Sequence, residues 1–272
     1  MAGALGRGES GRIPSLDLTG RTAIVTGAAR GIGRACAELF ASCGAGLGIC
    51  DRRAGELDAV AKGIGERGGE VLGMEADVRD QAATAGFVAA VGERFGAVDV
   101  LVNNAGGSFH AAVTDVSAKG EAMLVAENFT SVTRLVRLVV PLMPDGGSIV
   151  NVTSIEAHQA APGFAIYSAM KAAVANLTAS LALELSDRGI RVNAIAPDAI
   201  DTSGDDGARE EMLAVEGRFD PALVPPLGRR GSPDEAARVV LFLAGELSSF
   251  VTGTTIHIDG GAHAAGGWRL RL

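Results

Sequence analysis

"TGAARGIG", Thr26 to Gly33, follows the short apolar run "TAIVT" (22–26) and opens a helical pattern from Ile32 to Ser42. A strand that ends in glycines and restarts as a helix begins a β-α unit, and the job of those glycines decides the fold. Gly27, Gly31 and Gly33 permit a tight turn and let backbone N–H groups approach an anion at a helix N-terminus. Arg30 and Ile32 occupy positions between them. The spacing, G-x-x-x-G-x-G, differs from the G-x-G-x-x-G fingerprint, and with 38 glycines in the chain an ordinary turn competes. Its place directly after the first strand favours a pyrophosphate cradle. Asp51 then closes the second apolar run, "GLGIC" (46–50), about 20 residues beyond the loop, where a carboxylate meets ribose hydroxyls and repels a 2′-phosphate. That predicts NAD over NADP. Arg30 and Arg52 pull the other way, since both can serve a phosphate, and Asp51 also suits a helix cap.

The same alternation continues outward. Helical patterns cover 53–67, 81–95, 116–142, 163–187 and 233–244. Further strands are read at 70–77, 98–104, 147–154, 190–197 and 254–259. The strand runs are apolar without alternating polar positions, which marks strands buried on both faces and hence a parallel sheet. The predicted fold is α/β: a single Rossmann-type doubly wound parallel sheet of about seven strands with helices on both faces. No linker or repeat divides the chain. Residues 1–15 are read as a disordered leader and 16–272 as one domain.

Composition excludes several functions. Of 272 residues, 47% are hydrophobic, ample for a core. Lys and Arg number 24 against 32 Asp and Glu, a net charge of −8, which argues against nucleic acid or an anionic membrane as partner. No uninterrupted apolar run reaches the roughly 18 residues of a membrane span, and the start lacks a secretory apolar segment. Cys36, Cys43 and Cys50 lie in predicted helix and strand, fitting buried thiols in a reducing cytoplasm. His110, His158, His257 and His263 are scattered, and no metal site is expected.

"YSAMK" (167–171) holds the only tyrosine of the chain. Four positions apart on a helix, Tyr167 and Lys171 share a face. A free phenol titrates near pH ~10, and a neighbouring ammonium favours the phenolate, bringing it toward the range useful for proton transfer. A half-buried tyrosine beside a solvated lysine gives the same five letters, so the pair alone leaves both readings open.

With "TGAARGIG" and this pair stand "ADV" (76–78), "NNAG" (103–106), Asn128, Ser154 thirteen positions before Tyr167, and "NAIAP" (193–197). Their order and spacing resemble the short-chain dehydrogenases/reductases over about residues 18–261. The resemblance implies hydride transfer between a nicotinamide and a carbonyl carbon, without metal. Tyr167 would be the acid/base, and Lys171 would lower its pKa and hold the nicotinamide ribose. Ser154 would orient the substrate oxygen, and Asn128 would hold a water of the proton relay. Asp77 and Val78 would meet the adenine, and Asn104, Ala105 and Gly106 would line the nucleotide. Pro197 would border the cofactor and Thr202 would reach the carboxamide. One departure stands out: the family's usual Pro-Gly is Pro197-Asp198 here, which adds a carboxylate near the nicotinamide site.

The stretch 199–230 occupies the place of that family's substrate loop. Candidate pocket residues are Ser108, Phe109, His110, Ile155, His158, Phe164 and Met212. Mostly apolar, they suit a hydrophobic secondary alcohol or ketone, steroid- or lipid-like. A 3-oxoacyl thioester is the alternative, with Arg218, Arg229 and Arg230 as the basic rim for a carrier-protein or coenzyme-A partner. A non-catalytic cofactor-binding regulator is the alternative from another class, but a binder has no use for Tyr167 and Lys171. The family resemblance also implies a homotetramer or homodimer. Apolar stripes on 116–142 and on the helix after Tyr167, together with Trp268 in the tail, are the expected contacts.

Overall fold

The computed structural model describes residues 16–202 and 225–266. The expected leader, Met212, Arg218, most of the loop after residue 199 and the tail with Trp268 lie outside the described residues.

Seven strands form one parallel sheet: β1 (Thr22–Thr26), β2 (Gly46–Asp51), β3 (Val71–Glu75), β4 (Val100–Asn103), β5 (Ser148–Val152), β6 (Arg191–Pro197) and β7 (Thr255–Ile258). Their order is β3-β2-β1-β4-β5-β6-β7. The direction of winding therefore reverses between β1 and β4, and a crevice opens there beyond the carboxyl ends of the strands. Both the glycine loop and "NNAG" leave the sheet at this point.

Successive side chains of one strand point to opposite faces, so each strand feeds two cores. Ala23 and Val25 pack with α1 (Gly31–Ser42) and with a helix at Pro233–Ala244, while Ile24 packs with α3 (Gln81–Phe95) on the other side. The helix α2 (Ala54–Glu66) buries Leu57, Val60 and Ile64 on the first face. Every residue of β1, β4 and β5 is buried, which is why those runs lack polar alternation.

The helical pattern expected over 116–142 is one rod with a defect in it. It runs as α4 (Ala118–Val125), a single π-helical turn (Ala126–Thr130), α5 (Ser131–Val139) and a 3-10 turn (Val140–Leu142). The π turn carries Asn128. Inserting one residue into a helix in this way is a frequent device at functional positions. The other long helix, α6 (Ala165–Glu184), packs on β5 and β6 and carries Tyr167 and Lys171. Its 20 residues reach a mean hydropathy of 1.2, enough to cross a membrane by length and composition although no uninterrupted apolar run of that length exists. The helix at Pro233–Ala244 is α7, opened by a capping box between Ser232 and Glu235, and a short α8 (Ala262–Ala265) follows β7.

After β6 the chain turns at Asp198 and Ala199. Ala199 is the one non-glycine with positive φ (49°) among the described residues, so the left-handed conformation falls one position after the residue that replaces glycine. Backbone hydrogen bonds from Gly231 N–H to the Ala199 carbonyl and from Asp201 N–H to the Gly231 carbonyl hold the turn.

Candidate active site

The glycine loop is tied to the end of β4. Thr26 Oγ1 accepts hydrogen bonds from the backbone N–H groups of Asn104 (3.1 Å) and Ala105 (3.0 Å), and Asn104 Nδ2 donates to the carbonyls of Thr26 (2.8 Å) and Gly27 (3.1 Å). Gly27 and Gly31 adopt φ of +66° and +54°. A Cβ at Gly33 would overlap the Gly27 carbonyl and Asn104 Nδ2, so only glycine lets α1 begin this close to β4. The first turn of α1 contains no acidic residue, and its N-cap, Arg30, supplies no side-chain cap. An open helix start beside two positive-φ glycines fits a pyrophosphate. Thr202, beyond β6, approaches this loop: a Cβ on Gly31 would lie 3.0 Å from Thr202 Cγ2.

Asp51 lies at the end of β2 with both oxygens engaged. One accepts from Ala29 N–H (3.1 Å) and the other from Arg53 N–H (3.0 Å), so it clamps the glycine loop and the entry to α2 at once. Arg52 pairs with Glu127 at 3.8 Å. The Asp77 carboxylate is held by the Arg79 guanidinium, whose hydrogen bonds keep it below the usual carboxylate range. Val78 is buried, and its carbonyl accepts from Arg134 of α5.

The four residues of the proposed catalytic group come from three elements: Asn128 from the π turn, Ser154 from the start of the 3-10 turn after β5, and Tyr167 and Lys171 from α6. Asn128, buried in the π turn, donates from Nδ2 to the carbonyls of Gly107 (2.8 Å) and Leu124 (3.0 Å), and its Oδ1 accepts from Gly107 N–H (3.3 Å). Gly106 is packed between Asn128 and Lys171, 2.9 Å and 3.1 Å from where its Cβ would lie. Lys171 is buried, donates to the Val152 carbonyl at 2.9 Å, and sits 5.5 Å from the centre of the Tyr167 ring. Burial pulls its ammonium down to about 8, with Glu127 and Glu156 acting in the opposite direction. Ser154 caps the 3-10 turn Ile155–Ala157, and its hydroxyl donates to Glu156 Oε2 at 2.9 Å.

The side chains of Phe109, Val113, Val116, Leu124, Phe164 and Tyr167 line a small cleft. His110 packs edge-on against Phe164 at 5.2 Å, and Ala111 N–H donates to the Gly163 carbonyl, which closes that wall. Other expected pocket residues fall elsewhere. Ile155 is buried, Ser108 is exposed, and His158 joins His257 of β7 and His263 of α8 in a ring cluster. Of the expected basic rim, Arg229 is forked onto Glu235 (2.8 and 2.6 Å) and Arg230 donates to the Ile200 carbonyl.

Sequence reasoning missed Glu156 and Glu127. The first is betrayed only by standing two positions after Ser154, the second only by adjoining Asn128. Asp198, singled out by its replacement of glycine, follows β6 half-buried: burial holds its carboxyl above the usual range, Asp259 adds to the effect, and its charge raises the Glu156 carboxyl.

Gly33→Ala gives a direct check on the cradle. Overpacking a backbone contact of this kind costs about 1–3 kcal/mol. A lowered melting temperature and loss of the stabilisation conferred by added NAD are expected; an unchanged melt with full NAD stabilisation would overturn the close-packing argument.

A family model described as enoyl-(acyl carrier protein) reductase matches residues 27–263. The chain is 39% identical over 246 residues to a 3-oxoacyl-[acyl-carrier-protein] reductase of Thermotoga maritima, covering 90% of this chain and 98% of that one. It is 37% identical over 251 residues to 3beta-hydroxysteroid dehydrogenase 1 of Eggerthella lenta, covering 90% and 94%. A short-chain dehydrogenase of Burkholderia cenocepacia J2315, solved in complex with NADP, superposes with a TM-score of 0.82 at 32% identity, covering 90% and 98%. With its sheet order, glycine cradle and these relatives in agreement, the chain belongs to the short-chain dehydrogenase/reductase family of oxidoreductases.

Proposed function

We propose that this oxidoreductase uses NAD to interconvert a hydrophobic secondary alcohol and its ketone. The observation that carries the substrate class is the set of apolar side chains beside Tyr167, among them Phe109, Val113 and Phe164. A bound nicotinamide supplies or takes the hydride. The chain's own residues manage the oxygen. Tyr167 gives its proton to the substrate oxygen during reduction and takes it back during oxidation. Lys171, a buried ammonium beside the ring, favours negative charge on the phenol oxygen. Ser154 donates to the oxygen as charge develops there. Asn128, anchored through Gly107 and Leu124, holds the far side of the proton path.

The 3-oxoacyl thioester reading keeps the support of the Thermotoga relative. Against it, two arginines of the expected carrier-docking rim are already engaged, Arg229 by Glu235 and Arg230 by the Ile200 carbonyl. Nicotinamide absorbance followed over panels of steroids, acyl thioesters and aliphatic alcohols separates the readings. Turnover confined to thioesters would replace the first by the second, and no turnover with any panel would favour a cofactor-binding regulator. The free cysteines, two of them buried, suit a reducing compartment, so we place the enzyme in the cytoplasm.

Assembly follows from what α5 and α6 leave uncovered. The α5 stripe expected to face a partner is largely spent inside the protomer, where Leu135, Val136 and Val139 are core residues. The outer face of α6, with Leu183 at 78% exposure, remains open and apolar. We expect light scattering to give two or four copies of the 27.5 kDa chain; the mass of a single copy at micromolar concentration would refute this.

A further inference from the structure

The Ser154 hydroxyl has one proton, and in this structure Glu156 takes it in a hydrogen bond. The hydroxyl donates to Glu156 Oε2 at 2.9 Å, while Glu156 N–H donates back to Ser154 Oγ at 3.4 Å. A serine bound this way presents lone pairs to a substrate oxygen. An alkoxide needs donors there, not acceptors. The direction of the hydrogen bond depends on Glu156. An ionised carboxylate only accepts, so it claims the serine proton; a protonated carboxyl can donate to Oγ and leave the serine proton for the substrate. Two hydrogen bonds in series then polarise each other.

We infer that Glu156 is a positioning residue that sets which way Ser154 donates, and that Ser154 serves the substrate oxygen only while Glu156 carries a proton. The inference rests on the proposed roles of Ser154 and Tyr167. In the reduction step the hydride goes to the carbonyl carbon and the Tyr167 proton to the oxygen. Ser154 and Glu156 each keep their own proton, so nothing further needs balancing.

The surroundings shift the Glu156 carboxyl toward holding its proton to higher pH than a free carboxylate does. Burial raises the Glu156 carboxyl above the usual range, the Ser154 hydrogen bond lowers it, Asp198 raises it and Lys171 lowers it. These charges come from the elements packed on the 3-10 turn: Lys171 on α6, and Asp198 just after β6, itself acted on by Asp259 beyond β7 and by Arg230. His158 closes the same turn. Asp198 thus has a use that a glycine at this position could not serve: its negative charge keeps Glu156 protonated to higher pH. The sign is that of a raised acid. The active form is fully present below the folded-state pKa and is lost as pH rises through it.

The test is an infrared titration of the full-length unaltered protein, with Glu156→Gln, Ser154→Ala and Asp198→Asn beside it. A protonated-carboxyl band is expected that is absent in Glu156→Gln, shifts frequency in Ser154→Ala, and titrates to lower pH in Asp198→Asn. A band insensitive to Ser154→Ala, or no band titrating above the free-glutamate range, would overturn the inference. With ethyl acetoacetate as probe ketone, kcat for reduction should fall through the same midpoint in the unaltered enzyme. That limb should vanish in Glu156→Gln, whose amide does not titrate and can donate to Ser154 Oγ at every pH, while Glu156→Ala loses on the order of tenfold in kcat. If Tyr167→Phe stays active, the proposed function fails whatever Glu156 does. If Tyr167→Phe is inactive yet Glu156→Gln keeps the falling limb, this inference alone fails.

Discussion

Tyr167→Phe is expected to lose at least a hundredfold in kcat while binding NAD nearly as well as the unaltered enzyme. Phenylalanine keeps the ring and its place 5.5 Å from Lys171 Nζ, and removes only the hydroxyl. General acid/base catalysis contributes on the order of 10²–10⁴ to a rate, and among the described residues lining the cleft no other phenol can take over. The dinucleotide cradle lies at the β1 and β4 ends, built from Gly27, Gly33, Asn104 and Thr26, and the substitution leaves it untouched. A selective loss of kcat is therefore the signature. Near-normal turnover would sink the assignment of Tyr167, and equal loss of NAD binding would mean that the ring itself supports the cradle.

The strands were readable because a parallel sheet buried on both faces demands continuous apolar runs, and β1, β4 and β5 comply at every position. The glycine loop was readable because positive φ at Gly27 and Gly31 and the contact at Gly33 leave few other residues possible. The π turn at Asn128 was not, since one inserted residue barely disturbs an apolar periodicity spread over 116–142. Ala199 was hidden for a related reason: a left-handed alanine carries no mark in its letter. The fate of the α5 stripe was also hidden, because a pattern reveals an apolar face without revealing what covers it. Glu156 became visible only when its distance to Ser154 could be read.

Cofactor choice is the second large effect. A 2′-phosphate near Asp51 would meet a like charge, and two such charges about 4 Å apart repel by roughly 4 kcal/mol at an effective dielectric of 20. Arg30 and Arg52 offset part of this, but exposed pairs are worth about 1 kcal/mol at most. Arg52 is also drawn toward Glu127 at 3.8 Å. About 2 kcal/mol remains in favour of NAD, on the order of thirtyfold in kcat/KM. The structure decides which substitution tests this. Asp51 accepts hydrogen bonds from Ala29 and Arg53 N–H groups, so Asp51→Ala would free the loop as well as remove the charge. Asp51→Asn keeps one acceptor oxygen and discharges the site. We expect it to narrow the NADH-to-NADPH ratio of kcat/KM at least tenfold, and Asp51→Ala to invert the ratio with poorer use of both cofactors. If the unaltered enzyme already uses NADPH better, Asp51 serves the loop alone. Reduction of 3-oxoacyl thioesters, the activity named for the Thermotoga relative, then becomes the leading reading.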